Sequence, residues 1–363
     1  MKMKKAAVAS MIVLAAVAVA GIIPGKTNRI AASPEENTGE EAAEENAQEK
    51  VEDPLLPEID TSVKIEAGSR VAVVSKNTEG QFWDKVQAGM EDAVKAVNEA
   101  YGFSKEDAVT MTFEGPDDER EVETQINTLD AVIAENPAAL CLSAGDMESC
   151  QAQLETAAEN GIPVVVFDSN VADTELVGAF RSTDNEKAGE MAAEKLSEAL
   201  NGSGKIAVFS AQEKTASIQD RISGFQRKIA ESDGIEVAEI IYQDGVEDME
   251  AAMKEALEKH PDLAGVYCTN ADISEMYLGL KKPEDSSIVM VGTDATDKQQ
   301  KAVKDGTELG IVSQDPYAMG YITILTALDL TKEGVNVEKN SFLEPQWIDS
   351  TNIEDPAYSN YIY

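Results

Sequence analysis

From Arg70 onward the chain alternates short runs of β-branched residues with stretches of helical period, and this rhythm restricts its fold more than any other feature. Val71-Ala72-Val73-Val74 opens it and a helix pattern over 82–100 follows. Further strand-like runs come at 109–113, 139–142, 163–167, 206–209, 237–242, 264–268, 288–291 and 309–312. Each is short and mostly apolar, as a strand covered on both faces must be. Amphipathic stretches at 119–135, 148–160, 186–200, 216–231 and 249–260 fill the gaps. Repeated strand–helix units build parallel sheets with helices on both faces. So many strands exceed one comfortable sheet, and the expected architecture is α/β with two doubly wound parallel-sheet lobes. Two of the runs lead into Asp168 and Asp294. Open α/β sheets bind ligands beyond the carboxyl ends of their strands, so two facing lobes would enclose a crevice lined by these carboxylates.

The first sixty residues break the rhythm. Lys2, Lys4 and Lys5 precede an apolar run over 6–23. That is the pattern of an export signal, and the run is also just long enough for an uncleaved membrane anchor, so residues 1–32 are expected to be one or the other. Residues 33–62, dominated by Glu, Ala, Asn and Pro, are expected to form a disordered acidic linker. On either alternative the body lies outside the cytoplasm, at the cell surface or in a periplasm. The chain carries 30 Lys+Arg against 68 Asp+Glu, a net charge of −38. Phosphate backbones and anionic headgroups repel such a chain, which argues against nucleic acid and membrane surfaces and leaves neutral or cationic small molecules open.

Nothing in the body has the form of a catalytic motif. His260 is the only His, and Cys141, Cys150 and Cys268 lack metal-ligand spacing, so neither a metal nor a cofactor is expected; a Cys141–Cys150 bridge stays open. Gly202-Ser203-Gly204-Lys205 fails as a phosphate loop, because Ala199 stands at its first glycine and Ile206 at its metal-binding hydroxyl. There is no Gly-x-Ser-x-Gly elbow, and His260 ends a helical stretch, where it meets the helix dipole rather than a substrate. An enzyme is not expected.

Seven short segments, taken in order, carry a resemblance. They are Val73-Val74-Ser75 with Phe82-Trp83, Gly161-Ile162-Pro163-Val164-Val165 with Asp168, and Ser182-Thr183-Asp184-Asn185 with Gly189. Asp220-Arg221-Ile222-Ser223-Gly224-Phe225, Tyr267-Cys268-Thr269-Asn270-Ala271-Asp272, Val291-Gly292-Thr293-Asp294 and Ser313-Gln314-Asp315-Pro316 complete the set. From about residue 70 to 352 the chain resembles the periplasmic sugar-binding proteins of ABC importers, in the ribose/galactose-binding type I family. The resemblance implies two lobes joined by a three-segment hinge. The N-terminal lobe would hold 63–181 plus about 315–340, and the C-terminal lobe 182–314 plus about 341–363.

It also implies roles. Phe82 and Trp83 would face the C–H side of a sugar ring, Asp168 and Asp294 would accept from adjacent hydroxyls, and Arg221, Asn270 and Gln314 would donate. Asp146 would line the pocket in place of a first-lobe Asn. Ribose binders usually follow the first-lobe Asp with Arg, whereas Ser169 and Asn170 follow Asp168 here, and Glu79-Gly80-Gln81 replaces the usual Asn-Pro before the aromatics. Asp-Ser is similar to binders of a cyclised dihydroxy-pentanedione signal and of other non-ribose ligands, and the change leaves Arg221 as the one expected strong cation in the crevice. The implied function is that of a monomeric solute-binding protein that closes on a sugar or related polyol and hands it to an ABC permease. The alternative is a membrane-tethered sugar sensor that presents its closed form to a histidine kinase or chemoreceptor.

Overall fold

The computed structural model describes residues 56–281 and 287–363. The expected signal or anchor, and the acidic linker as far as residue 55, lie outside the described residues. Two six-stranded sheets make up the body. The first contains β1 (Arg70–Val74), β2 (Thr110–Glu114), β3 (Ala139–Leu142), β4 (Val164–Phe167), β5 (Ala179–Thr183) and β11 (Asn340–Leu343), in the order β11-β5-β4-β3-β1-β2 with every pair parallel. The second contains β6 (Ser203–Ser210), β7 (Gly234–Tyr242), β8 (Leu263–Cys268), β9 (Val289–Thr293), β10 (Gly310–Ser313) and β12 (Gln346–Asp349), in the order β12-β10-β9-β8-β6-β7. Only the β10–β12 pair is antiparallel. The two orders match strand for strand, so Asp168 after β4 and Asp294 after β9 occupy equivalent places.

Each sheet is covered on both faces. Val71 and Val73 pack into one cluster with α1 (Gln81–Tyr101) and α9 (Pro316–Leu330), while Ala72 and Val74 pack into another with α2 (Val122–Ala134) and α3 (Gln151–Glu159). This is the period-two alternation of a strand, with both faces apolar. The second sheet is dressed by α4 (Asn185–Ala199), α5 (Ala216–Ile229), α6 (Met249–Lys259) and α7 (Ala271–Leu280), while α8 (Asp297–Asp305) packs Val303 with Ile311 of β10 and Ile348 of β12 in the cluster that also holds α1 and α9. Among the described residues no helix is long and apolar enough to cross a membrane.

Two helix pairs pack with unusual closeness. A Cβ on Gly189 of α4 would run into the Arg221 carbonyl oxygen of α5, and one on Gly224 into that of Glu186. In the first lobe a Cβ on Gly89 of α1 would strike the Tyr317 carbonyl oxygen of α9, and one on Gly320 that of Val86. Glycine on both partners lets each pair of backbones touch, which fixes the height of α1 and α5 over their sheets.

The chain passes between sheets three times, and polar residues start the helices at the first two passages. Asp184 caps α4 by accepting from the Lys187 backbone N–H, and Asp315 caps α9 by accepting from that of Ala318, with Pro316 at the first helical position. The pairing moves two expected lobe limits. Ser182 and Thr183 belong to β5 and 341–343 to β11, so these passages follow Thr183 and Leu343 rather than residues 181 and 340. All three cysteines are free and buried, so no Cys141–Cys150 bridge forms; burial pushes the Cys150 thiol up to about 12.

Candidate ligand-binding site

The carboxyl ends of both sheets face one cavity of about 220 Å³. It lies where strand-to-helix turns converge, as the rule for open α/β sheets requires. The first sheet sends in Lys76 just after β1, Phe82 and Trp83 from the start of α1, Glu119 from the β2–α2 loop and Asp168 after β4. The second sends in Arg221 from α5, Asn270 after β8, Asp294 after β9 and Gln314 after β10.

Asp168 and Asp294 are held alike. Both are buried, and both adopt left-handed backbone geometry, with φ of 55° and 78° respectively. A non-glycine residue pays for that conformation, and such strain is kept where the surroundings fix a side chain for use. Each backbone N–H is tied to the neighbouring strand, Asp168 to the Arg181 carbonyl at 2.9 Å and Asp294 to the Val312 carbonyl at 3.0 Å.

The two carboxylates differ in their partners. Asp168 Oδ2 lies 3.0 Å from Lys76 Nζ and accepts from Ser143 Oγ at 2.9 Å. Asp294 Oδ1 accepts from Gln314 Nε2 at 2.7 Å and from the Tyr363 hydroxyl at 3.0 Å, while Oδ2 accepts from the Ala271 backbone N–H at 2.8 Å. Burial pushes the Tyr363 hydroxyl well above its ordinary pKa, with Asp294 adding to the rise, so it stays a donor.

Arg221 uses Nε to reach Asn185 Oδ1 at 2.8 Å and Nη1 to reach the Thr269 carbonyl at 2.6 Å. Asn270 does two jobs. Its Oδ1 caps α7 through the Ile273 N–H, and its Nδ2 approaches Glu119 Oε1 at 3.3 Å across the cleft. Glu119 is itself buried, 3.8 Å from Lys76. Burial pushes its carboxyl above the usual range, while Lys76 pulls it back and Asp272 and Asp168 add to the rise. Phe82 and Trp83 meet edge to face at 5.1 Å, and Tyr363 lies 6.1 Å from Phe82, so the aromatic wall is part of the core as well as of the cavity.

Of the eight residues singled out from the sequence, the structure brings seven together around the cavity: Phe82, Trp83, Asp168, Arg221, Asn270, Asp294 and Gln314. Asp146 is not among the lining residues. Its Oδ1 accepts from the Glu148 N–H at 2.8 Å and its Oδ2 lies 3.6 Å from Lys214 Nζ. Around it the lobes touch directly, Thr215 Oγ1 donating to the Gly145 carbonyl at 2.6 Å and the Met147 N–H to the Lys214 carbonyl at 3.0 Å. The turn after β3 is therefore spent on the second lobe instead of on the cavity.

The expectation of Arg221 as the sole strong cation is also overturned, because Lys76 stands beside Asp168. Lys76 was open to the same rule that found Asp168, since it directly follows the first predicted strand and its Ser75. Glu119 was expected to open a helical stretch, but α2 begins at Val122 and leaves it in the loop, and Tyr363 lies far from any strand end. Among the described residues no group of His, Cys, Asp and Glu is arranged to hold a metal ion.

Two parallel-sheet lobes that close a polar, carboxylate-lined cavity between them define a protein built to enclose a small solute. The family described as periplasmic binding protein domain matches residues 71–334, and the chain belongs to it. The ribose import binding protein of Bacillus subtilis is 26% identical over 218 residues, covering 59% of this chain and 70% of that protein. A D-ribose/D-allose-binding protein of Pseudomonas aeruginosa is 25% identical over 274 residues, 72% of this chain and 82% of its own length. Among solved structures, an ABC transporter solute-binding protein of Agrobacterium vitis bound with D-fucose is 28% identical, with a TM-score of 0.75 over 81% of this chain and 100% of its own. A second from the same organism, bound with α-D-tagatopyranose, is 26% identical, with a TM-score of 0.75 over 81% and 99% of the two chains. The fold is thus the type I periplasmic binding protein fold, in a family of solute-binding proteins whose location is extracytoplasmic.

Proposed function

We propose that the protein captures a sugar or sugar-like polyol by closing its lobes and delivers it to the permease of an ABC importer. The observation that carries this reading is the paired placement of Asp168 and Asp294, one per lobe, at the edge of a single cavity. A polyol needs acceptors and donors in alternation, and the wall offers both, with Phe82 and Trp83 for the ring face. In this reading Lys76, Arg221 and Asn270 supply donors, while Gln314, its Nε2 held on Asp294, orients that carboxylate. The sugar-binding names of its relatives support the ligand class, and the family supports the role in transport.

Thermal-shift screening against pentoses, hexoses and cyclitols, followed by calorimetry, tests it, because a ligand that binds only the folded state raises apparent stability. Asp168→Ala and Asp294→Ala should each cost at least about 1–3 kcal/mol of binding through unsatisfied hydroxyls, Asp168→Ala also lowering stability because buried Lys76 loses its partner, so circular dichroism must show each variant folded. Unchanged affinity in either variant removes that carboxylate from the site. The sensor alternative is favoured by the sequence of 6–23 and the acidic stretch after it. N-terminal sequencing of the mature protein discriminates, since a retained apolar run favours tethering.

A further inference from the structure

We infer that the ligand carries a protonated amine: a sugar-sized polyol bearing an amino group rather than a neutral sugar. The inference rests on the binding-protein reading above and concerns only what that cavity accepts. The charged side chains on its wall are six carboxylates, Glu79, Glu119, Asp168, Asp272, Glu275 and Asp294, against two cations, Lys76 and Arg221. Lys76 is committed to carboxylates, whereas Arg221 is held by neutral groups. Lys76 sits between Asp168 at 3.0 Å and Glu119 at 3.8 Å. Arg221 spends Nε and Nη1 on the neutral acceptors of Asn185 and Thr269, and no described carboxylate is paired with it.

Asp272, Glu275 and Asp294 therefore have no cationic partner at ion-pair distance among the described residues. Asp294 is the most telling, being 4% exposed with all its hydrogen bonds drawn from neutral donors. The amide that holds it points to the same deficit. Gln314 is 2% exposed, and its Oε1 has no hydrogen-bond partner although its Nε2 is fixed on Asp294, so a donor is wanting at this corner. An ammonium group brings three N–H donors and the missing charge together, whereas a hydroxyl brings one donor and no charge.

The acidity of the chain as a whole does not explain the corner. Glu79 and Asp272 stand exposed at the mouth, where carboxylates are hydrated and screened, but Asp294, 4% exposed, keeps most of its cost until it is paired. The corner groups also act on one another: although Asp272 is exposed at the mouth, crowding by protein atoms on its cavity side raises its carboxyl above the usual range, and Asp294, Glu275 and Asp118 raise it further against Arg120. Lys76 Nζ already lies 5.9 Å from the centre of the Trp83 ring, so Phe82 is the aromatic face left for a cation or for the C–H side of a ring.

Calorimetry at neutral pH on matched ligands tests the inference: pentoses, hexoses and cyclitols, their amino-deoxy counterparts, and the N-acetyl forms as bulky but uncharged controls. At least one amine should bind about tenfold or more tightly than its neutral parent, a gap of about 1.4 kcal/mol. N-acetylation should abolish the gain, and Asp272→Asn and Glu275→Gln should narrow the gap between amine and parent. If neutral sugars bind as well as or better than their amines throughout the panel, the inference is overturned and the sugar-binding reading stands. If no member of the panel binds a protein that circular dichroism shows to be folded, both fall together.

Discussion

At the scale of single residues, what distinguishes this site is an ion pair inside it. Lys76 and Asp168 are both under 10% exposed and 3.0 Å apart, so each neutralises what would otherwise be a costly buried charge. Removing one partner of such a pair costs about 3–5 kcal/mol, because the other is left uncompensated. Lys76→Met is therefore expected to destabilise the fold on that scale. Lys76→Met/Asp168→Asn should recover a large part of the loss, as read by urea unfolding in a double-mutant cycle. Additive losses would mean that the two do not act as a pair.

A second buried acid tests the electrostatics away from the cavity. Glu308, between α8 and β10, is 1% exposed; burial pushes its carboxyl well above the usual range, against the opposing pull of the Gln299 amide and the Lys281 charge. Because the folded pKa is raised, the native state holds a proton that the unfolded chain releases, and the stability this group contributes falls as pH rises from the unfolded value toward the folded one. Glu308→Gln should stabilise the protein at about pH 8, with the gain vanishing below about pH 4, where both states of the carboxyl are protonated. A pH-independent difference in melting temperature would contradict this assignment. Residues at strand ends were the legible part of the site, because their place follows from topology alone. Lys76, two residues past β1, is such a strand-end residue, whereas Glu119 is not, and a loop's path is not written in its periodicity.

At the scale of elements, the helices are located less by their own sequence than by the glycines of their neighbours. Gly189 of α4 touches the backbone of α5 at Arg221, so the approach of these helices sets where that guanidinium stands in the cavity. Gly189→Ala should push α5 outward, weakening ligand binding about tenfold or more as well as lowering stability by about 1–3 kcal/mol through overpacking. Alanine at Gly202, where added bulk meets nothing within 4 Å but φ is +69°, serves as a stability control remote from the cavity. Equal effects of the two on affinity would remove the positioning role. The buried parallel strands were legible because nearly unbroken apolar runs announce them. β5, β11 and β12 were not: β5 buries Arg181 within the strand, and β11 and β12 are only partly covered, so neither shows the apolar run.

At the scale of the whole molecule, the lobes meet through their own hydrogen bonds as well as around the cavity. Thr215 reaches Gly145, Met147 reaches Lys214, and the Asp297 N–H reaches Gln81 Oε1 at 3.0 Å. These bonds form only when the lobes stand together, so on the proposed clamp reading a ligand that contacts both lobes should add to them and shift the open–closed equilibrium toward closure. Small-angle scattering should show a smaller radius of gyration at saturation, and Thr215→Val should enlarge the difference between free and bound by loosening the free form. Identical profiles with and without bound ligand would contradict a two-lobed clamp.

The triple passage of the chain between sheets has a further consequence, for the order in which the protein can be made. The second lobe is nearly complete in one uninterrupted stretch, from α4 through β10. The first is not: α1 waits for the glycine face of α9, and β5 waits for β11, both of which follow that whole stretch. A chain emerging from its N-terminus therefore delivers Phe82 and Trp83 early but cannot seat them until almost the last residues are released. The lobe begun first is finished last, and until then the nascent protein has half a binding wall and no cleft to close.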